Sequence, residues 1–251
     1  MAADPSVSGS DAAPADGPTA GPAPDATLRL PVEWALRIMW WAIGVAIVAT
    51  VAAQFWRHAS GQNTVVNLLD SDQKLNFPTT LKIALMVSST ALFAVVGLGT
   101  ADRRARVRWI GMGVIFGLLT LDELTYMHQR LSDSMHHWAG TGGVLRFAWV
   151  LVYLPIVVVI AVVYLPFWRG LASRLRAGLL VAALLFAGGS GGIEFFKGAL
   201  YDDEHWSLKF GLVAALSDSL ELTGLGILVA LLLREAAATT RVVRIDLDGT
   251  R

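Results

Sequence analysis

The chain contains no cysteine, which excludes disulfides, thiolate metal ligands and thiol nucleophiles and leaves histidines, carboxylates and hydroxyls for any chemistry. Charge is also scarce. Only 16% of residues are Asp, Glu, Lys or Arg, against 55% hydrophobic, whereas soluble domains carry near a quarter charged. Acids and bases balance to a formal charge of zero, and no basic stripe interleaved with aromatics is present, so nucleic-acid binding is excluded as an expectation. What remains is the composition of an all-α, polytopic membrane protein.

Residues 1–30 are rich in Ala, Pro, Gly, Ser and Asp with no apolar periodicity, so they cannot bury enough surface to offset the entropy of ordering. A disordered tail is expected there. It lacks the basic start of a signal peptide, and the first apolar run begins beyond Pro31.

Six segments then approach the roughly 20 residues needed to cross a bilayer core of about 30 Å: Trp34–Trp56, Thr80–Thr100, Val107–Thr125, Leu145–Trp168, Arg176–Phe196 and Leu208–Leu233. The third spans only if Asp122 and Glu123 count as part of it. Residues 31–235 thus form a six-helix transmembrane domain, and 236–251 a C-terminal tail. Tryptophans cluster at segment ends (Trp34, Trp40, Trp41, Trp56, Trp109, Trp168, Trp206), as at headgroup level. Arginines lie between segments two and three (Arg103, Arg104, Arg106, Arg108), between four and five (Arg169, Arg174, Arg176) and after six (Arg234, Arg241, Arg244, Arg251). The positive-inside rule therefore places both termini in the cytoplasm and the other loops outside. Those outer loops, with the adjoining helix halves, contain all five histidines (His58, His128, His136, His137, His205).

The polar residues inside the spans are the candidate site, because intramembrane charge is costly and faces a partner or cavity. In TLDELTYMHQRLSD, Asp122 and His128 differ by roughly 120° on a continuous helix and Glu123 and His128 by roughly 140°. That geometry aligns His128 with Leu124 and Thr125, and Asp122 with Tyr126 and Gln129, so the two acids share a site only if the helix unwinds or each turns to a different neighbour. Asp218 and Glu221 are one turn apart on the sixth segment, with Ser217 four before Glu221. Two such carboxylates do not both ionise in low dielectric unless a cation lies between them, so a bound proton, a metal, Lys or Arg is required. Lys82 and Arg146 are candidate counter-ions. Glu194 follows the glycines of GGSGG, which suit close helix packing. Asn76 or Thr79, with Pro78, is set to start the second helix.

These residues resemble an uncharacterised family of bacterial multi-pass membrane proteins. Its pattern is matched by Asn76-Phe77-Pro78-Thr79, Leu121-Asp122-Glu123 with His128, Gly188-Gly189 through Glu194, and Asp218-Ser219-Leu220-Glu221 with Gly224. Thr120, Gln129 and Asp218 depart from it, where serine, glutamate and glutamate are usual. The resemblance implies a bacterial cytoplasmic membrane protein and supplies no activity. A shorter likeness, over Leu121–Leu124, is to alkaline ceramidases, zinc amidases whose metal needs two late histidines. The last histidine here is His205, so that form of site is not expected.

Three functions follow. The first is a metal-dependent hydrolase of a lipid or other amphiphile, with Asp122, Glu123, His128, Glu194, Asp218 and Glu221 as ligands for zinc, manganese or iron and Glu123, His128, Asp218 and Glu221 as catalytic groups. The second is proton- or cation-linked transport through the same carboxylates. The third is a non-catalytic subunit of a membrane complex. The hydrolase stands first because the polar residues open to one face only.

Overall fold

The computed structural model describes residues 32–61, 68–69, 76–139, 148–193, 196–197, 200 and 207–239. The N-terminal tail, Arg146, Glu194 and His205 lie outside the described residues. The described elements are α1 (Val32–Ser60), α2 (Phe77–Gly99), α3 (Arg103–Thr125), α4 (Met127–Ala139), α5 (Trp149–Gly170), α6 (Ser173–Ala187) continued by a π-helical turn Gly188–Ile193, and α7 (Leu208–Thr239). No strand occurs among the described residues. Among the described residues, five helices are long and apolar enough to cross a membrane: α1, α2, α5, α6 with its π turn, and α7. A sixth is added when α3 and α4, bent by 63° at their junction, are counted as one span.

Local sequence explains the helix starts. The Asn76 side chain accepts the Thr79 N–H at 2.7 Å and Pro78 occupies the first turn of α2, where its missing N–H costs nothing. Asp102 does the same for α3, accepting from Ala105 N at 2.7 Å. α5 contains Pro155 and Pro166. Proline breaks the hydrogen-bond ladder and frees carbonyls in the preceding turn, which need another donor inside a membrane. Pro166 withholds the helical donor from Val162 O, and one residue on Arg108 Nη1 donates to Val163 O at 3.0 Å.

α7 is the axis of the bundle: more than half of its apolar stretch is buried, against 6% for α5 at the periphery. It packs on α1, α2 and α6. Lipid gives apolar helices no hydrophobic drive to associate with one another, so close packing must supply the attraction. Gly224 permits it, because a Cβ there would stand 2.8 Å from both Ala182 O and Phe186 N of α6. On the other side, Gly226 lies against Ile43 and Gly211 against Gln54 and Arg57 of α1. The two helices therefore run antiparallel, with Thr50 level with Asp218.

The turns Thr100–Asp102 and Leu171–Ala172, the start of α1 and the end of α7 share one end of the bundle, the arginine end. Arg106 Nε donates to Thr100 O at 3.1 Å, Arg176 Nη1 to Arg169 O at 3.2 Å and Trp168 Nε1 to Arg176 O at 3.1 Å, fastening the two turns. Above them lies an apolar core of Phe93, Val96, Trp109, Leu175, Leu228 and Leu232, continued towards the bundle middle by Ile43, Leu85, Met86, Leu222, Leu225 and Val229.

Candidate functional site

α3 stops because Tyr126 adopts the left-handed conformation, φ 54°, an uncommon state for a residue with a Cβ and one costing roughly 1–2 kcal/mol. Its N–H still bonds Asp122 O, and the chain turns into α4. The turn leaves the first N–H groups of α4 without helical partners. Asp122 meets that need across the break: Oδ1 accepts the His128 backbone N–H at 3.0 Å, while Oδ2 lies 2.7 Å from His128 Nδ1. Tyr153 of α5 donates its hydroxyl to the same Oδ1 at 2.8 Å. The ring of Trp149 stands edge-on to both His128 and Tyr153, with centroids 5.4 and 5.2 Å away. Trp149 N also donates to Ser132 Oγ at 3.2 Å, tying α5 to α4.

The continuous-helix expectation for this stretch is thus corrected. Asp122 is joined to His128, not aligned with Gln129 on a common face, because the break at Tyr126 resets the 100° count.

Glu123, one residue on, turns to the bundle interior. Its Oε1 lies 2.7 Å from Lys82 Nζ, and the same ammonium lies 3.0 Å from Glu221 Oε2. All three side chains are largely buried, Glu221 most of all at 8% exposure. Asp218, a turn before Glu221, is within electrostatic range of both Lys82 and Glu221. Ser217 Oγ donates to Gly189 O at 2.8 Å and stands 3.5 Å from Glu221 Oε1. Gly189 is required for that contact, since a Cβ there would meet Ser217 O at 2.7 Å and Glu221 Cγ at 2.9 Å. The π turn of α6 is what lays this glycine on α7.

The six predicted ligands are therefore divided. Asp122 and His128 form one pair, facing α4 and α5. Glu123, Asp218 and Glu221 form another group around Lys82, facing α2 and α7, and Glu194 lies outside the described residues. The cation demanded by Asp218 and Glu221 is supplied by Lys82, one of the two counter-ions named from sequence. Among the described residues no three His, Asp or Glu side chains are placed to hold a metal. The donor set argues the same way, because the ammonium already occupies the position between Glu123 and Glu221.

Sequence reasoning missed Tyr153 and Trp149, whose i,i+4 spacing near the start of the fourth segment was the available signal. It also missed a buried polar stripe on α1, Thr50, Gln54 and Arg57, spaced four and three apart and facing α7. Thr50 Oγ1 donates to Ala46 O at 2.9 Å.

Residues 37–235 match a family described as a domain of unknown function, DUF8692. No curated protein and no solved structure matches the chain.

Proposed function

Because the chain belongs to the DUF8692 family, whose description assigns no activity, we propose its function from its own side chains: it is a multi-pass membrane protein that couples proton binding at Lys82, Glu123, Asp218 and Glu221 to transport. The observation behind this reading is the single ammonium set between Glu123 Oε1 at 2.7 Å and Glu221 Oε2 at 3.0 Å, with Asp218 as a third acid in range. Three carboxylates lie within range of one lysine, so their negative charges repel one another in a low-dielectric interior. Binding protons relieves that charge.

The four groups come from α2, α3 and α7, so each change in proton count alters the forces between three helices. That is the coupling a transporter needs. Phe93, Val96, Trp109, Leu228 and Leu232 close the way from the cluster to the arginine end, and alternating access requires this apolar plug to part. By the positive-inside rule the arginine end faces the cytoplasm, in a bacterial cytoplasmic membrane, and protons load from the opposite side.

The test is pH-difference infrared spectroscopy of the protein in lipid. The expected result is a protonated-carboxyl band that changes with pH in the wild type and is lost or displaced in Glu221→Gln. Identical difference spectra for the two proteins would overturn the reading.

A hydrolase remains the second reading, and one observation favours it. Asp122 holds His128 Nδ1 at 2.7 Å, which leaves Nε2 as a proton acceptor at the start of α4, beside the membrane surface. This reading expects cleavage of a lipid ester or amide by the wild type and a loss of rate in His128→Gln. Retention of the full rate in that variant would remove it.

A further inference from the structure

At the arginine end, away from the charge cluster, a cleft of about 380 Å³ lies between the start of α1 and the end of α7, lined by Glu33, Leu36, Arg37, Trp40, Trp41 and Arg234. Its two guanidiniums come from different helices and outnumber its one carboxylate. Among the described residues, neither Arg37 nor Arg234 is held in an ion pair. The cleft therefore carries one positive charge in excess among the described residues.

A continuous apolar strip leads away from it. Trp34, Ile38, Trp41, Val45 and Val48 recur at steps of four and three along α1, so they share one face, and each is exposed, from 48% at Ile38 to 76% at Trp41. In a membrane-crossing helix such a face meets acyl chains. The charged cleft sits at the head of the strip, at the depth marked by the tryptophans.

We infer that this cleft is a binding site for an anionic phospholipid, with the phosphodiester between Arg37 and Arg234 and one acyl chain along the Trp34–Val48 strip. Guanidinium forks match phosphate oxygens with paired hydrogen bonds, and basic pockets between membrane helices on the cytoplasmic side recognise acidic headgroups. A free phosphate would satisfy the arginines alone. The lipid satisfies the arginines and the strip together, which is why the lipid is the assigned occupant. The site also joins the first helix to the last, so its ligand bridges the two ends of the transmembrane chain.

The experiment is native mass spectrometry of the full chain released from bilayers of equal parts phosphatidylglycerol and phosphatidylcholine with identical acyl chains. Wild type is expected to retain phosphatidylglycerol selectively, and Arg37→Gln/Arg234→Gln to hold it roughly 30-fold more weakly, the loss expected of two basic residues at an anionic surface. Arg174→Gln removes a charge at the same end outside the cleft and is expected to retain the lipid as wild type does. An Arg37→Lys/Arg234→Lys variant, expected to retain intermediate amounts, separates loss of the site from loss of the fold. Equal retention of both lipids, displacement by inorganic phosphate, an equal loss in Arg174→Gln, or a lipid-free mass of two chains would each overturn the assignment. The last would give the strip to a second copy.

Discussion

The same three helices build two unlike cores. Towards the arginine end, the buried faces of α1, α2 and α7 carry Leu36 and Ile43, Phe93 and Val96, and Leu228 and Leu232; towards the other end they carry Thr50, Gln54 and Arg57, Asn76 and Lys82, and Ser217 and Glu221. The apolar half is held by shape, through aromatic contacts such as Phe93 of α2 against Phe116 of α3 at 5.2 Å and the close approach at Gly224. The polar half is held by partners, each buried group needing a specific mate. A shape-held core tolerates loss of any one contact in proportion to its size. A partner-held core fails disproportionately when one member is removed, because the surviving charge has nowhere to go.

That contrast ranks the consequences of substitution. Lys82→Met strips Glu123 and Glu221 of their shared cation and is expected to cost roughly 3–5 kcal/mol, read as a fall in thermal unfolding temperature in detergent, with partial recovery in Lys82→Met/Glu221→Gln. A Lys82→Met protein that unfolds like wild type would show that the polar half is not held by partners. Gly224→Val tests the boundary with the apolar half. Its side chain would meet the α6 backbone, at a cost of about 1–3 kcal/mol, while the pH-dependent carboxyl band should stay as in wild type. A changed band would mean that the two halves are one cooperative unit. The smallest effect is expected from Tyr153→Phe, which removes one hydrogen bond to Asp122 for roughly 0.5–1.5 kcal/mol. Its signature is faster amide exchange confined to α4 and the start of α5, and exchange spread over the bundle would contradict the local role given to that hydroxyl.

Much of this division is legible in the chain, because apolar length and helical spacing are local properties. Five helices long and apolar enough to cross a membrane follow from run length, the start of α2 from Asn76 and Pro78, and the shared face of Asp218 and Glu221, with its need for a cation, from three-residue spacing. The pairing of Asp122 with His128 is not legible. It depends on a left-handed Tyr126 in a stretch with no glycine or proline to announce a break, and any count of 100° per residue across that point yields the wrong neighbours. The choice of Lys82 as the cation is half legible: its charge and depth mark it, but only packing decides that α2 lies beside α3 and α7. Thr50, Gln54 and Arg57 have readable spacing, masked by the strong apolar character of the helix around them.

Asp122 and Glu123 are consecutive residues, yet one is tied to α4 and α5 and the other to α2 and α7. One peptide unit therefore joins the two groups. Rotation of the last turn of α3 that draws Glu123 away from Lys82 swings Asp122 in the same sense and strains its hold on His128 and Tyr153. Under the proton-binding role proposed above, a charge change at Glu123 would reach α4 and α5 through the adjacent Asp122. Two adjacent side chains on one backbone turn make that link, so it does not run through the packed apolar core.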